Sequence, residues 1–372
     1  MIKHSLSVAL GVMFFLLGAK AAYSGADPTR PQPPRAPDSR GQRMLGIQVT
    51  PAGGGSDYDA ALQVARRAGI DAGNLFINWT DVETRPGQYG PVYFASLGST
   101  GDAPDDLAIH LTLAPINVSK KEVPSDLANR PFDDPLVIDR FNTFVDYVFS
   151  KVPSKQLVSV AIGVEVDTYL ATNAVAWAQY KRFMYAVSRH IKSTHPIVQV
   201  GVMGTYEGLV RAARDYLKSI NEHSDVIMLT YYPIRKNFSV RGPTVFQGDV
   251  EALCALYQTK PIYFKEIGYP TSALLGSSEQ QQQAFVEEVF RVWDQHANQI
   301  PYMSFLTLHD WSKAQADSFL KYYFGMNAHG EGARRFVAYL STLGLRHAEG
   351  TNKPGFAALI SSAHARGWGS GR

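Results

Sequence analysis

The sequence predicts a single α/β domain, a (β/α)8 TIM barrel, and three observations lead there. Eight short apolar runs alternate with longer stretches of helical periodicity, the pattern of parallel strands joined by crossover helices. The runs are continuously apolar, as strands covered on both faces must be, and lack the alternation of half-exposed antiparallel strands. A chain of 372 residues with 45% hydrophobic content can also build one large core.

The strand candidates, in order, are residues 44–49, 74–78, 108–114, 157–164, 197–203, 226–230, 262–265 and 303–308. Between them, Ala176, Tyr180, Phe183, Val187 and Ile191 share one helical face, and Ser278 with Gln281 fits a capping box ahead of Phe285, Val289 and Trp293. A doubly wound open sheet would need a G-x-G-x-x-G turn after its first strand; Gly53-Gly54-Gly55 lacks that spacing and reads as a βα loop.

Ahead of the barrel, Lys3 and His4 precede an apolar run over 6–17, and Ala19-Lys20-Ala21 supplies small residues for cleavage. This reads as a signal peptide over 1–21, too short for a comfortable membrane span, with an uncleaved anchor as the other reading. Residues 22–43, rich in Pro and Arg, read as a linker, 44–347 as the barrel and 348–372 as a C-terminal tail. A secreted or periplasmic protein is expected, with no membrane span left after cleavage. Cys254 is the only cysteine, so no intramolecular disulfide can form and the core alone must hold the fold.

The balance of 36 basic and 33 acidic residues, net +3, lacks the basic runs of a nucleic-acid binder. No H-E-x-x-H, clustered cysteine or acidic calcium loop suggests a metal, no G-x-S-x-G elbow suggests a serine hydrolase, and no cofactor is expected.

In such barrels the working residues end the strands. Glu165 ends the fourth apolar run and Glu266 the seventh. Burial raises the pKa of a carboxyl emerging from so apolar a segment, which suits a general acid at neutral pH. Two carboxyls about 5 to 5.5 Å apart are what retaining glycoside hydrolysis needs.

The stretches Ile162-Gly163-Val164-Glu165-Val166 and Phe264-Lys265-Glu266-Ile267-Gly268-Tyr269-Pro270 resemble the glycoside hydrolase clan A barrels. Asp225-Val226-Ile227-Met228-Leu229-Thr230-Tyr231-Tyr232-Pro233 is similar to their sixth strand, and His309-Asp310-Trp311 to the end of their eighth. Among the clan's families the pieces look like those of β-mannanases, endo-β-galactanases and β-glucanases. The resemblance implies Glu165 as acid/base, Glu266 as nucleophile, a tyrosine of the sixth strand on the nucleophile, and Trp311 flooring a sugar subsite. It implies no cofactor, a β-linked polysaccharide or oligosaccharide as substrate, and an endo-acting enzyme. One departure stands out: many clan members carry Asn before the acid/base, and this chain has Val164. That keeps open an exported, non-catalytic carbohydrate-binding barrel.

Further expectations concern single residues. Trp79 and Trp311, at strand ends, are candidates for stacking on sugar faces. Tyr231 and Tyr232 alternate in direction, so one of them faces the mouth, Tyr231 being the better placed if the strand ends at Thr230. Asp167 either orients substrate or starts a loop, and His309 donates to a hydroxyl or is a core residue. Lys265 is expected to point into the helix layer, away from Glu266, Glu83 to be a loop or rim contact and not a catalyst, and His110 to belong to the core. One barrel acting as a monomer on carbohydrate is the expected unit.

Overall fold

The computed structural model of the chain describes residues 39–92, 106–154 and 156–369, all within one compact unit, Pro37–Arg372. The expected signal peptide lies outside the described residues, as does most of the linker.

Each of the eight expected runs contains or overlaps a strand. We number them β1 (Met44–Ile47), β2 (Ala72–Asn78), β3 (Ala108–Asn117), β4 (Leu157–Val164), β5 (Gln199–Gly201 continued as Met203–Thr205), β6 (Ile227–Tyr231), β7 (Ile262–Ile267) and β8 (Tyr302–Phe305). All neighbours pair in parallel, β1 with both β2 and β8. The break at Val202 divides β5, whose first segment pairs with β4 and whose second pairs with β6. Pairing therefore runs around the ring with one break, at Val202, and the barrel is nearly closed.

The helices are α1 (Tyr58–Arg67), α2 (Pro135–Phe149), α3 (Ala174–Thr194), α4 (Arg214–Asn221), α5 (Val245–Leu256), α6 (Glu279–Gln295), α7 (Lys313–Phe324), α8 (Gly330–Leu340) and α9 (Pro354–His364). On α3 the expected stripe faces inward: Tyr180, Phe183, Val187 and Ile191 are fully buried, and Asn173 caps the helix by accepting from the Ala176 amide at 3.1 Å. Ser278 caps α6 in the same way, accepting from the Gln281 amide at 3.2 Å. The apolar layer between strands and helices is one continuous cluster, and a smaller one with Ala72, Ala114, Met228, Tyr263 and Tyr302 fills the barrel interior.

Residues 348–372, read from sequence as a tail, contribute α9, which packs along α6 in the outer ring. Trp368 is buried and stacks on Trp293 at 5.1 Å. Arg43, in the stretch read as linker, is buried as well; its guanidinium lies over both indole rings and pairs with Asp294 at 2.8 Å. The carboxylate of Asp294 also receives Arg366 at 2.7 Å, so both ends of the folded region are fastened to α6. These contacts escape a sequence reading because they join short segments without periodicity of their own.

Lys353, just ahead of α9, is 1% exposed and donates to Asp310 at 2.8 Å, to the Gly344 carbonyl at 2.9 Å and to the Thr342 carbonyl at 3.1 Å. A lone buried ammonium is costly, and removing the carboxylate it contacts leaves that charge poorly compensated. Asp310→Ala should lower unfolding free energy in urea by about 3–5 kcal/mol. A loss under about 1 kcal/mol, the value of an exposed pair, would contradict the buried-pair assignment.

Candidate active site

Glu165 follows β4 directly and opens a short helix, Val166–Leu170, with its own backbone in the left-handed region (φ 46°, ψ 47°). That conformation is uncommon for a side chain with a Cβ, and such strain concentrates at functional sites. The turn is prepared by Gly163 (φ +82°), where a Cβ would meet the Tyr180 hydroxyl at 2.6 Å. The Tyr180 hydroxyl donates to the Ile162 carbonyl at 3.0 Å and holds the strand end in place. The Ile-Gly-x-Glu spacing thus has a local physical basis.

Glu266 lies within β7 beside a bulge. Leu229 pairs with Phe264, but Thr230 pairs with Glu266, so Lys265 is the extra residue. The bulge overturns the expectation for Lys265. Simple alternation would send it to the helix layer; instead it is fully buried, and its ammonium donates to the His110 and Leu111 carbonyls of β3 at 3.1 and 3.2 Å. Strands β3 and β7 stand four apart in a ring of eight, so this side chain crosses the barrel interior beneath Glu266. His110 belongs to the core as expected, stacked on Tyr302 at 3.6 Å.

Each acid accepts one hydroxyl. Thr230 donates to Glu165 at 2.7 Å, and Tyr232 donates to Glu266 at 2.8 Å. Thr230 is also the register partner of Glu266, so one β6 residue touches the first acid and stands beside the second. Burial raises the Glu165 carboxyl to about 8, with the neighbouring charges of Glu266 and Asp167 adding to the rise and the Thr230 hydroxyl opposing it. Burial raises Glu266 too, but the Tyr232 hydroxyl and the Lys265 ammonium both pull it back. The Lys265 ammonium is lowered to about 7 by burial, which Glu266 partly offsets. The two acids therefore occupy different environments, one that favours the protonated form and one furnished to hold charge.

Other sequence candidates fall elsewhere. Trp79 is fully buried beside Phe141 and Phe144 at 5.0 and 6.0 Å and donates to Glu83 at 2.6 Å, so it is a core residue with no face left for a sugar. The short helix Trp79–Val82 turns the chain at the end of β2 and carries the ring into the α2 layer. Glu83, expected as a loop or rim contact, is buried and accepts from Trp79, the Gly87 amide and Arg140. Tyr231 points outward, donating to Asp249 at 2.8 Å among Phe246, Phe264 and Phe285; alternation holds, but Tyr232 is the tyrosine at the mouth.

Asp167 is engaged by the Thr205 amide at 2.9 Å and hydroxyl at 2.6 Å, which ties the end of β4 to the end of β5. His309 is buried, its Nδ1 lying 2.6 Å from the Thr50 carbonyl, and it fastens β8 to the turn after β1. Trp311 is half-buried against Phe319 at 5.6 Å, in an aromatic cluster that includes Tyr232 and Tyr323.

Sequence reasoning missed Thr230, which no motif marks, and the whole α7–α8 pair. The interval between β8 and α9 is too long for a simple loop, and that length was the available signal. The pair brings Tyr322, Tyr323 and Tyr339 to the mouth. Burial and the charges of Glu165 and Glu266 push the hydroxyls of Tyr323 and Tyr339 well above the ordinary range for tyrosine. Among the described residues no cluster of three or more metal-ligating side chains occurs, and no helix is long and apolar enough to cross a membrane.

No known family model matches the chain, and no curated protein matches it in sequence. Solved structures do. An exo-β-1,4-mannosidase from Opitutaceae bacterium strain TAV5 superposes with a TM-score of 0.62 at 17% identity, over 87% of this chain and 59% of that one. A GH5_18 protein from Streptomyces cattleya, solved with GlcNAc, gives 0.63 at 13% identity over 88% and 80%. A family 39 glycoside hydrolase from the gut symbiont Bacteroides cellulosilyticus WH2 gives 0.55 at 12% identity over 88% and 64%. The chain thus spans about three fifths of the mannosidase and four fifths of the Streptomyces protein. At these identities the likeness establishes the fold: a nearly closed (β/α)8 barrel of the architecture that the clan A resemblance implied.

Proposed function

We propose that the protein is a retaining glycoside hydrolase acting on a β-linked glycan, with Glu165 as general acid/base and Glu266 as nucleophile. One observation carries the proposal: two half-buried carboxyls, at the end of β4 and on β7, flanking Thr230, each with its own hydroxyl donor and with different charged neighbours, acids beside Glu165 and the Lys265 ammonium beside Glu266. The separation required is about 5 to 5.5 Å. Thr230 donates to Glu165 and stands in register with Glu266, and Glu165 feels the Glu266 charge, which supports a close pair. The identities of the similar structures, glycoside hydrolases among them, point the same way.

In the first step the Glu266 carboxylate attacks the anomeric carbon while the glycosidic C–O bond breaks. The departing oxygen takes the proton from Glu165, leaving a glycosyl ester on Glu266. In the second step the Glu165 carboxylate takes a proton from water as that water's oxygen attacks the same carbon, which frees Glu266 and reprotonates Glu165. No cofactor enters. The reading places the enzyme outside the cytoplasm, on the strength of the N-terminal apolar run, working as a monomer on carbohydrate alone.

A second reading, a non-catalytic glycan-binding barrel, is favoured by Val164 beside the acid and by the helices over the mouth. Both readings meet in one experiment. Reducing-end release from a panel of β-linked glycans should occur with the native chain, fall by about a hundredfold to ten-thousandfold in Glu165→Ala, the range expected for loss of a general acid, and fall at least as far in Glu266→Gln, which loses the nucleophile. Binding without release by the native chain would establish the second reading.

The pH dependence carries its own sign. As general acid, Glu165 must hold its proton, so kcat/KM should fall as pH rises through about 8, while protonation of the Glu266 nucleophile sets the acidic limb. The Thr230 hydroxyl favours the charged form of Glu165, so Thr230→Val should move this basic limb to higher pH. An unmoved or lowered limb would show that Thr230 does not act on the group being titrated.

A further inference from the structure

The pair α7–α8 lies between β8 and α9 in sequence, and its attachments decide what it does. At one side it is fastened by polar contacts to the ends of β2 and β3. Tyr323 donates to Asn117 Oδ1 at 3.1 Å, Tyr322 donates to Glu122, and the Asn117 amide donates to the Tyr322 hydroxyl at 3.4 Å and to Asn78 at 3.1 Å. At its other side it is fastened to the end of β6 and the loop beyond it, with the turn after β7 close by. The Tyr339 ring meets Tyr232 edge to face at 5.6 Å, Phe336 meets Phe238 at 5.7 Å, and Arg335 Nε donates to the Asn237 carbonyl at 2.5 Å. A separate apolar cluster, with Leu275, Phe336, Tyr339 and Leu343 buried in it, fills the space under this second attachment.

The two attachments stand on opposite sides of the ring, since β2 faces β6 and β3 faces β7 in a barrel of eight. The pair therefore spans the mouth along a diameter. Its tyrosines feel both acids: Tyr323 and Tyr339 each lie within the electrostatic reach of Glu165 and of Glu266. On the β8 and β1 side, the loop after β1 lies against the start of α7, where a Cβ on Gly54 would meet the Gln315 side chain at 3.1 Å. Among the described residues the pair's hydrogen bonds and ring contacts reach the ends of β2, β3 and β6 and none reaches β4 or β5, which leaves that sector for entry.

Internal cleavage of a polymer needs a groove open at both ends, so that chain can run out on either side of the scissile bond. We propose that the helical pair roofs the mouth into a pocket with one entrance, and that the enzyme takes a chain terminus and acts in the exo mode, in place of the endo action expected from sequence. This inference rests on the hydrolase reading and goes further in naming the substrate as a glycan end.

Stoichiometry tests it without turnover. The Glu266→Gln chain would be titrated calorimetrically with mannohexaose, galactohexaose, cellohexaose and laminarihexaose, each beside its long polymer. A pocket binds one protein per chain, so the number bound per chain should be the same for hexasaccharide and polymer. A groove binds along the polymer, and a number bound per chain that rises with its length would overturn the roof. The native chain supplies the second measurement: one small sugar released from the earliest times, with polymer length nearly unchanged. A rapid fall in polymer length with a spread of products would overturn exo action while leaving the hydrolase reading intact. Neither binding nor release on any of these glycans would overturn both.

Discussion

The site is governed by the cost of holding two carboxyls at the rim of an apolar barrel. Desolvation opposes the charge on each, and a buried ionised carboxylate without partners is not a stable arrangement. The structure resolves this unequally. Glu165 receives one hydroxyl, from Thr230, and lies near two other acids, so its proton is held to about 8. Glu266 receives the Tyr232 hydroxyl and has the Lys265 ammonium beneath it, so the rise imposed by burial is opposed from two sides. Two like residues thereby acquire unlike character, the condition for acid and nucleophile in one site.

That inequality depends on the bulge in β7. Without the extra residue, Lys265 and Glu266 would alternate across the strand, and the lysine would leave for the helix layer. With it, the ammonium reaches the β3 carbonyls across the barrel and stays close to the carboxylate it supports. The left-handed backbone at Glu165 is the counterpart on β4, a conformational cost accepted where the side chain must be aimed. Both irregularities lie toward the carboxyl sides of their strands, one within β7 and one just past β4, where the working residues of a barrel are placed.

This explains what was legible in the sequence and what was not. The eight strands could be read because burial on both faces forces continuous apolar runs, and the acids because they interrupt those runs at the right ends. The α3 stripe and the Ser278 cap follow from helical geometry alone. The inward course of Lys265 could not be read, because a bulge leaves no mark on an apolar pattern. Trp79 and Tyr231 were misplaced for a related reason: a strand-end position says that a residue is near the mouth, but the turn beyond the strand decides which way the ring points. Thr230 is a small residue in an apolar run, and its role comes only from the register that sets it between two acids. The helices over the mouth are amphipathic in an ordinary way; their partners on opposite strands make them a roof.

The central claim is that Glu266 becomes covalently glycosylated during turnover. The most direct measurement is intact and peptide mass spectrometry of the protein after incubation with activated 2-deoxy-2-fluoro β-glycosides, whose fluorine slows the second step more than it slows the first. The account predicts one glycosyl unit per chain, located on the peptide that carries Glu266 and absent from the Glu266→Gln variant. Turnover of the corresponding unfluorinated substrates with no adduct at Glu266, or with an adduct on another residue, would contradict it.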